Sequence, residues 1–224
     1  MLEINKEYKV LNLYACLGGN RYKWNNCKVT AVELDPELAR LYQERFPDDT
    51  VIIGDAHQYL LDHYKEFDFI WTSPPCPTHS KLKLSNKNHK KNIPVYPDMK
   101  LYEEILFLKY YFNGLYCVEN VIPYYEPLIP AKKRGRHLYW TNFQLPSDLG
   151  DRKEFLGIFG GRKTNVFEKL CNLHKINLST YIGNQPKEKI AKNLVDYEAG
   201  KTIFEVARNI YKLPKQQQPS LFNT

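Results

Sequence analysis

No apolar run in this chain approaches the roughly 18 residues of a membrane span. No charged stretch followed by an apolar one opens it, so the expected setting is cytoplasmic, with no membrane partner. The five cysteines are an odd number. Without a secretory signal they read as reduced thiols rather than a disulfide framework. A single Cys-x-x-His pair, Cys76 and His79, lacks the two further ligands of a zinc site, so no metal is expected. The glycine turn at Cys16-Leu17-Gly18-Gly19-Asn20 lacks the three-glycine spacing of a dinucleotide loop. It also lacks the Lys-Ser/Thr of a phosphate loop. Between residues 81 and 92 (KLKLSNKNHKKN) there is no acid at all, against five lysines.

What is present is a chain of 224 residues, 43% hydrophobic, enough for one good-sized core. The net charge of +7 favours a polyanionic partner. Strand-like runs at 9–15, 29–34, 51–53, 67–71, 115–118 and 137–143 alternate with helical ones at 36–42, 57–64 and 98–112. Leu101, Ile105, Leu108 and Phe112 make one apolar stripe on the last of these. Such alternation predicts an α/β fold: a mostly parallel sheet with helices on both faces.

In sheets of that class, ligands bind beyond the strands' carboxyl ends. Two acids stand there. Glu33 ends the second strand, where a carboxylate can accept both hydroxyls of a ribose. Asp55 follows the third and can accept from an adenine amine. Helix capping is the alternative for both. An adenosyl ligand without a pyrophosphate fits the glycine turn. After the fourth strand, Thr72-Ser73-Pro74-Pro75-Cys76 ends on a stiff turn, because two prolines fix the backbone and remove donors. Cys76 there is either a nucleophile or a small buried apolar residue.

Five segments together resemble the motifs of DNA cytosine-5 methyltransferases, in the family's order. Asn12-Leu13-Tyr14-Ala15-Cys16-Leu17-Gly18-Gly19 is similar to the first motif and Pro75-Cys76 to the nucleophile motif. Glu119-Asn120-Val121 is similar to the glutamate motif, and Gly135-Arg136-His137-Leu138-Tyr139-Trp140 to the later arginine motif. Lys192-Asn193-Leu194-Val195, followed by Gly200, looks like the last motif, which folds back on the cofactor pocket. The resemblance covers residues 9–143 and 186–210 and suggests the compact methylases of phages, in restriction-modification or phage DNA protection.

The resemblance implies a Rossmann-like, S-adenosylmethionine-dependent fold with a very small inserted DNA-recognition region. It divides the chain into a catalytic and cofactor-binding core (1–143), that reading region (144–185), a return segment (186–212) and a flexible tail (213–224). It implies DNA methylation at a cytosine flipped from a duplex. Cys76 would add to C6, Glu119 would hold and protonate N3, and Arg136 would orient both. A phosphate contact or surface ion pair is the other reading of Arg136. Asn120 would brace the loop. S-adenosylmethionine would lie against Tyr14, Leu17, Gly18, Gly19, Glu33, Leu34, Asp55, Ala56, Pro74, Asn193 and Val195. Ser80, Lys81, Lys83, Lys87, Lys90 and Lys91 would grip DNA phosphates, with Lys133 and Arg134 adding a second patch beside Lys132.

Three departures stand out. Cys16 occupies a position where the family has glycine, which would crowd the cofactor. Pro77 replaces the usual glutamine. The reading region is short. A weak or inactive DNA-binding relative is therefore one competing reading. An amino-methyltransferase acting on adenine N6 or cytosine N4 is another, on the Pro74-Pro75 core, although that chemistry wants an aromatic where Cys76 stands. In the tail, Gln218-Pro219-Ser220-Leu221-Phe222 is similar to peptides that dock on bacterial sliding clamps, through Gln218, Leu221 and Phe222.

Overall fold

The computed structural model describes residues 6–81, 96–146 and 165–212. Its centre is a seven-stranded sheet in the order β3-β2-β1-β4-β5-β7-β6. Strands β1 (Tyr8–Leu13), β2 (Cys27–Glu33), β3 (Thr50–Ile53), β4 (Phe69–Thr72) and β5 (Leu115–Val121) are parallel. Strands β7 (His137–Thr141) and β6 (Lys132–Arg134) close one edge as an antiparallel hairpin. The chain builds outward from β1 in one direction to β3 and then in the other from β4. The order thus reverses between β1 and β4, and that reversal opens a crevice at their carboxyl ends. The glycine turn leaves β1 and the Pro-Pro-Cys turn leaves β4, so both enter the crevice.

The helices cover both faces, as the alternation predicts. On one face α2 (Ala56–His63) and α3 (Lys100–Tyr111) bury Leu60, Leu101, Ile105 and Leu108 against Leu11, Leu13, Ile70 and Val118. On the other face lie α1 (Pro36–Arg45) and α6 (Tyr197–Ala207). There Ile203 and Phe204 pack on Trp24, Phe69 and Trp71.

Helices α4 (Val166–His174) and α5 (Lys187–Asn193) fall on either side of the expected boundary at 185. Leu178 and Tyr181 nevertheless share a cluster with Leu17, Leu38, Leu41, Ile190 and Leu194. Arg45 ties the two together, donating to the carbonyls of Leu17 and His174 at 2.7 Å each. Residues 165–185 thus pack into the core, whereas residues 147–164 lie outside the described set. Among the described residues no helix is long and apolar enough to cross a membrane, and no group of three or more His, Cys, Asp or Glu is placed to hold a metal.

Candidate active site

The cleft at the sheet's carboxyl edge has a volume of about 1640 Å³. One end is built by the turn after β1. There Tyr14 and Cys16 take left-handed backbone angles, with φ of 54° and 47°. Such angles are rare for side chains with a Cβ. Cys16 thus holds the conformation that a glycine adopts freely. Its amide donates to Glu33 Oε2 at 2.7 Å, and Asp35 N donates to Glu33 Oε1 at 3.0 Å. Burial raises the Glu33 carboxyl, while these amides oppose that shift. Cys16 lines the cleft, but burial and then Glu33 push its thiol up to about 12, so it stays a thiol.

The capping alternative divides between the acids. Asp35, not Glu33, caps α1, accepting from Glu37 N and Leu38 N. Asp55 does cap α2, through Gln58 N, while also lining the cleft. Beside Glu33, Leu34 is 70% exposed and forms part of the wall. An apolar face left open next to a carboxylate suits an adenosine: base on the leucine, ribose on the acid. On this observation the residues fit S-adenosylmethionine.

Most of the expected cofactor residues line the cleft: Tyr14, Gly19, Glu33, Leu34, Asp55, Ala56, Pro74, Asn193 and Val195. Two do not. Leu17 is buried among Leu38 and Leu41 of α1 and Leu178, Ile190 and Leu194, and Gly18, at φ 63°, backs onto Phe46 and Tyr42. They shape the turn from behind. Gly19 lies so close to the return segment that a Cβ on it would sit 2.6 Å from the Val195 carbonyl.

The other end of the cleft holds Cys76, Glu119 and Arg136. The Pro74-Pro75-Cys76 turn is pinned by Asn120, whose amide donates to the Pro74 carbonyl at 2.9 Å. The Cys76 carbonyl then accepts from His79 N at 3.0 Å and Ser80 N at 3.1 Å. Glu119 comes from inside β5, which runs three residues beyond the predicted 115–118. It is 5% exposed. Burial raises its carboxyl to about 7, against hydrogen bonding from Ser73 and the Arg136 charge. Arg136 sits at the tip of the β6–β7 hairpin, beside Gly135 at φ 54°. A three-residue strand of Lys132-Lys133-Arg134 carries no apolar pattern, so β6 was not legible in the sequence.

Burial, and next the Glu119 charge, raise the Cys76 thiol above its ordinary 9.0, with Lys189 and Arg136 acting in the opposite direction. Three residues of this end were not anticipated. His137 Nε2 stands 3.5 Å from Glu119 Oε1. Burial and then Arg136 lower this imidazole to about 3, so it is a neutral neighbour rather than an ion-pair partner. Ser73 accepts from Trp71 Nε1 at 2.9 Å, and Lys189 reaches the cleft from α5. His137 and Ser73 lie within the segments quoted above but had no role assigned there, and Lys189 lies in none of them. Of the expected phosphate-gripping residues, Ser80 lines the cleft, and Lys81 and Lys133 are exposed. Arg134 is only 7% exposed and is packed into the hairpin, not presented to solvent. Lys83, Lys87, Lys90 and Lys91 lie outside the described residues.

Comparison with known proteins finds one family model, over part of the chain. Residues 8–100 match the profile of C-5 cytosine-specific DNA methylases. The match covers less than half of the 224 residues. This match supports the reading of the chain as an S-adenosylmethionine-dependent methyltransferase. Solved structures of low similarity were also found. DNMT2 of Spodoptera frugiperda is 23% identical over 51% of this chain and 35% of its own, with a TM-score of 0.35. A hypothetical protein of Thermus thermophilus is 18% identical over 59% of this chain and 73% of its own, at 0.42. The putative methyltransferase yhhF of Escherichia coli is 15% identical over 62% and 76%, at 0.40. The chain therefore spans about a third of the DNMT2 structure. No match was found among curated protein sequences.

Proposed function

We propose that this chain is a DNA (cytosine-5)-methyltransferase acting through a covalent bond from Cys76. The supporting observation is that Cys76, Glu119 and Arg136 share one cleft with the Glu33–Leu34 wall suited to an adenosine. When bound, S-adenosylmethionine supplies an electrophilic methyl group. Everything else falls to the protein. Glu33, Leu34 and Asp55 would hold the adenosyl part, and Asn193 and Val195 would close over it.

Cytosine C5 is a poor nucleophile until C6 is attacked. Cys76 Sγ, as thiolate, forms the bond to C6, and electron density moves toward N3. Glu119, protonated near neutrality, gives its proton to N3 and receives it back when the sulfur leaves. The proton from C5 passes to water. Arg136 lies close enough to both groups to steady the carboxylate that Glu119 becomes. His137 stays neutral, so it adds no charge to this balance.

The substrate is a flipped cytosine in duplex DNA, with exposed Lys81, next to the cleft residue Ser80, and exposed Lys133 on β6 as phosphate contacts. Docking on a sliding clamp through Gln218, Leu221 and Phe222 is proposed from sequence alone, since the tail lies outside the described residues. Bisulfite sequencing of DNA from cells expressing the protein tests the reading. Protected cytosines in one sequence context, lost in Cys76→Ser, are expected; methyl transfer to an amino group instead would overturn it.

A further inference from the structure

One buried acid takes no part in the chemistry above. Glu104, on α3, is fully buried on the opposite side of β1 and β4 from α6. Its carboxylate gathers three side chains. Tyr14 Oη donates to Oε1 at 2.6 Å, Thr72 Oγ1 donates to Oε2 at 2.6 Å, and His57 Nδ1 lies 3.1 Å from Oε1. These partners come from three different strand ends. Tyr14 begins the turn after β1, Thr72 is the last residue of β4 before the Ser73–Cys76 turn, and His57 opens α2 beside Asp55 and Ala56.

A buried carboxylate is costly unless hydrogen bonded, so its retention asks for a reason. Tyr14 supplies one. It lines the cleft, yet its backbone is in the left-handed region, unfavourable for an aromatic residue. The surrounding structure must hold it there, and the bond to Glu104 is the holding contact on its hydroxyl. The same carboxylate grips the strand that delivers Cys76. We propose that Glu104 is a positioning residue, which fixes Tyr14 against the cofactor end of the cleft and anchors the catalytic turn to the same point.

The inference rests on the cleft being the cofactor site, and its test separates the two ideas. S-adenosylhomocysteine binding is measured by calorimetry for the wild type, Tyr14→Phe, Glu104→Leu and the double variant, with circular dichroism as the check on folding. Each single change is expected to weaken binding about tenfold, on the scale of one lost hydrogen bond to a charged group. The double variant should be no weaker than the worse single one, because both changes break one linkage. Glu104→Gln, which keeps an acceptor, should recover most of the affinity. In methyl transfer, Tyr14→Phe should raise the KM for S-adenosylmethionine with little change in kcat. Thr72→Val should do the reverse.

Folded variants with wild-type affinity overturn the inference, as do penalties that multiply in the double variant. If Glu104→Leu does not fold, Tyr14→Phe decides alone: unchanged affinity sinks the proposal. A wild-type protein that binds no S-adenosylhomocysteine overturns the cofactor reading itself, and the inference with it.

Discussion

Replacing Glu119 by Gln should make Cys76 react faster with an alkylating agent and far more slowly with cytosine. Glu119 titrates near 7 and the Cys76 thiol above its ordinary 9.0. The form that attacks cytosine has the thiolate and the protonated acid together. It carries the same number of protons as the resting form, which has the thiol and the carboxylate. Burial holds the thiol up and leaves the carboxyl the readier of the two to ionise, so before substrate binds the attacking form is the minor one of the pair. Glutamine removes the negative charge that helps hold the thiol up, so the thiol's value falls and more thiolate is present. It also removes the proton donor, a loss of roughly 10²–10⁴ in rate.

The assay is iodoacetamide labelling of the Cys76 peptide, read by mass spectrometry between pH 6 and 9. Below about 7, Glu119 is already neutral in the wild type and the two proteins should label alike. Above it the variant should label faster, while its methyl transfer stays depressed throughout. Cys16, pushed up to about 12, is an internal control that stays slow. Equal labelling of wild type and variant at pH 8.5 would refute the electrostatic link between the two residues.

Three other outcomes follow from the structure. Gly200→Ala places a Cβ 2.1 Å from the Asn20 carbonyl, a backbone atom, so α6 must shift; a loss of about 1–3 kcal/mol in denaturant unfolding is expected. His57 is raised above its ordinary 6.5 by the bond to Glu104. The stability it contributes is therefore present below pH 6.5 and lost as pH rises through the raised value, and His57→Gln should flatten that part of a Tm-against-pH curve. Lys133→Ala should weaken DNA binding for all sequences alike and reduce the slope of log K against log salt by about 1.

The sheet was legible because its strands are short apolar runs ended by Gly, Pro or acids. The helical stripe from Leu101 to Phe112 was equally plain, and its four residues are buried as the periodicity requires. The β6 strand was not, since three basic residues pair with β7 only because Gly135 turns the chain tightly. The expected region 144–185 was bounded by motif spacing alone, which does not show that Leu178 and Tyr181 pack with Leu17, Leu38 and Leu41, more than a hundred positions away. Cys76 and Glu119 could be singled out from motifs, but the side chains packed around them could not. Lys189 looks like ordinary surface charge in the sequence, and only packing brings it and His137 to the cleft, while Glu104 lies buried behind it, bonded to Tyr14 and Thr72.

The central claim is a bond between Cys76 and C6 of an extruded cytosine. A duplex carrying 5-fluorocytosine, incubated with the protein and S-adenosylmethionine, stops the reaction at that bond, because the fluorine cannot leave as a proton does. Mass spectrometry should find the modified nucleotide attached to the Cys76 peptide, and no adduct with Cys76→Ser. Methyl transfer to normal duplex with no adduct on the fluorinated one, or an adduct on another residue, would contradict the account.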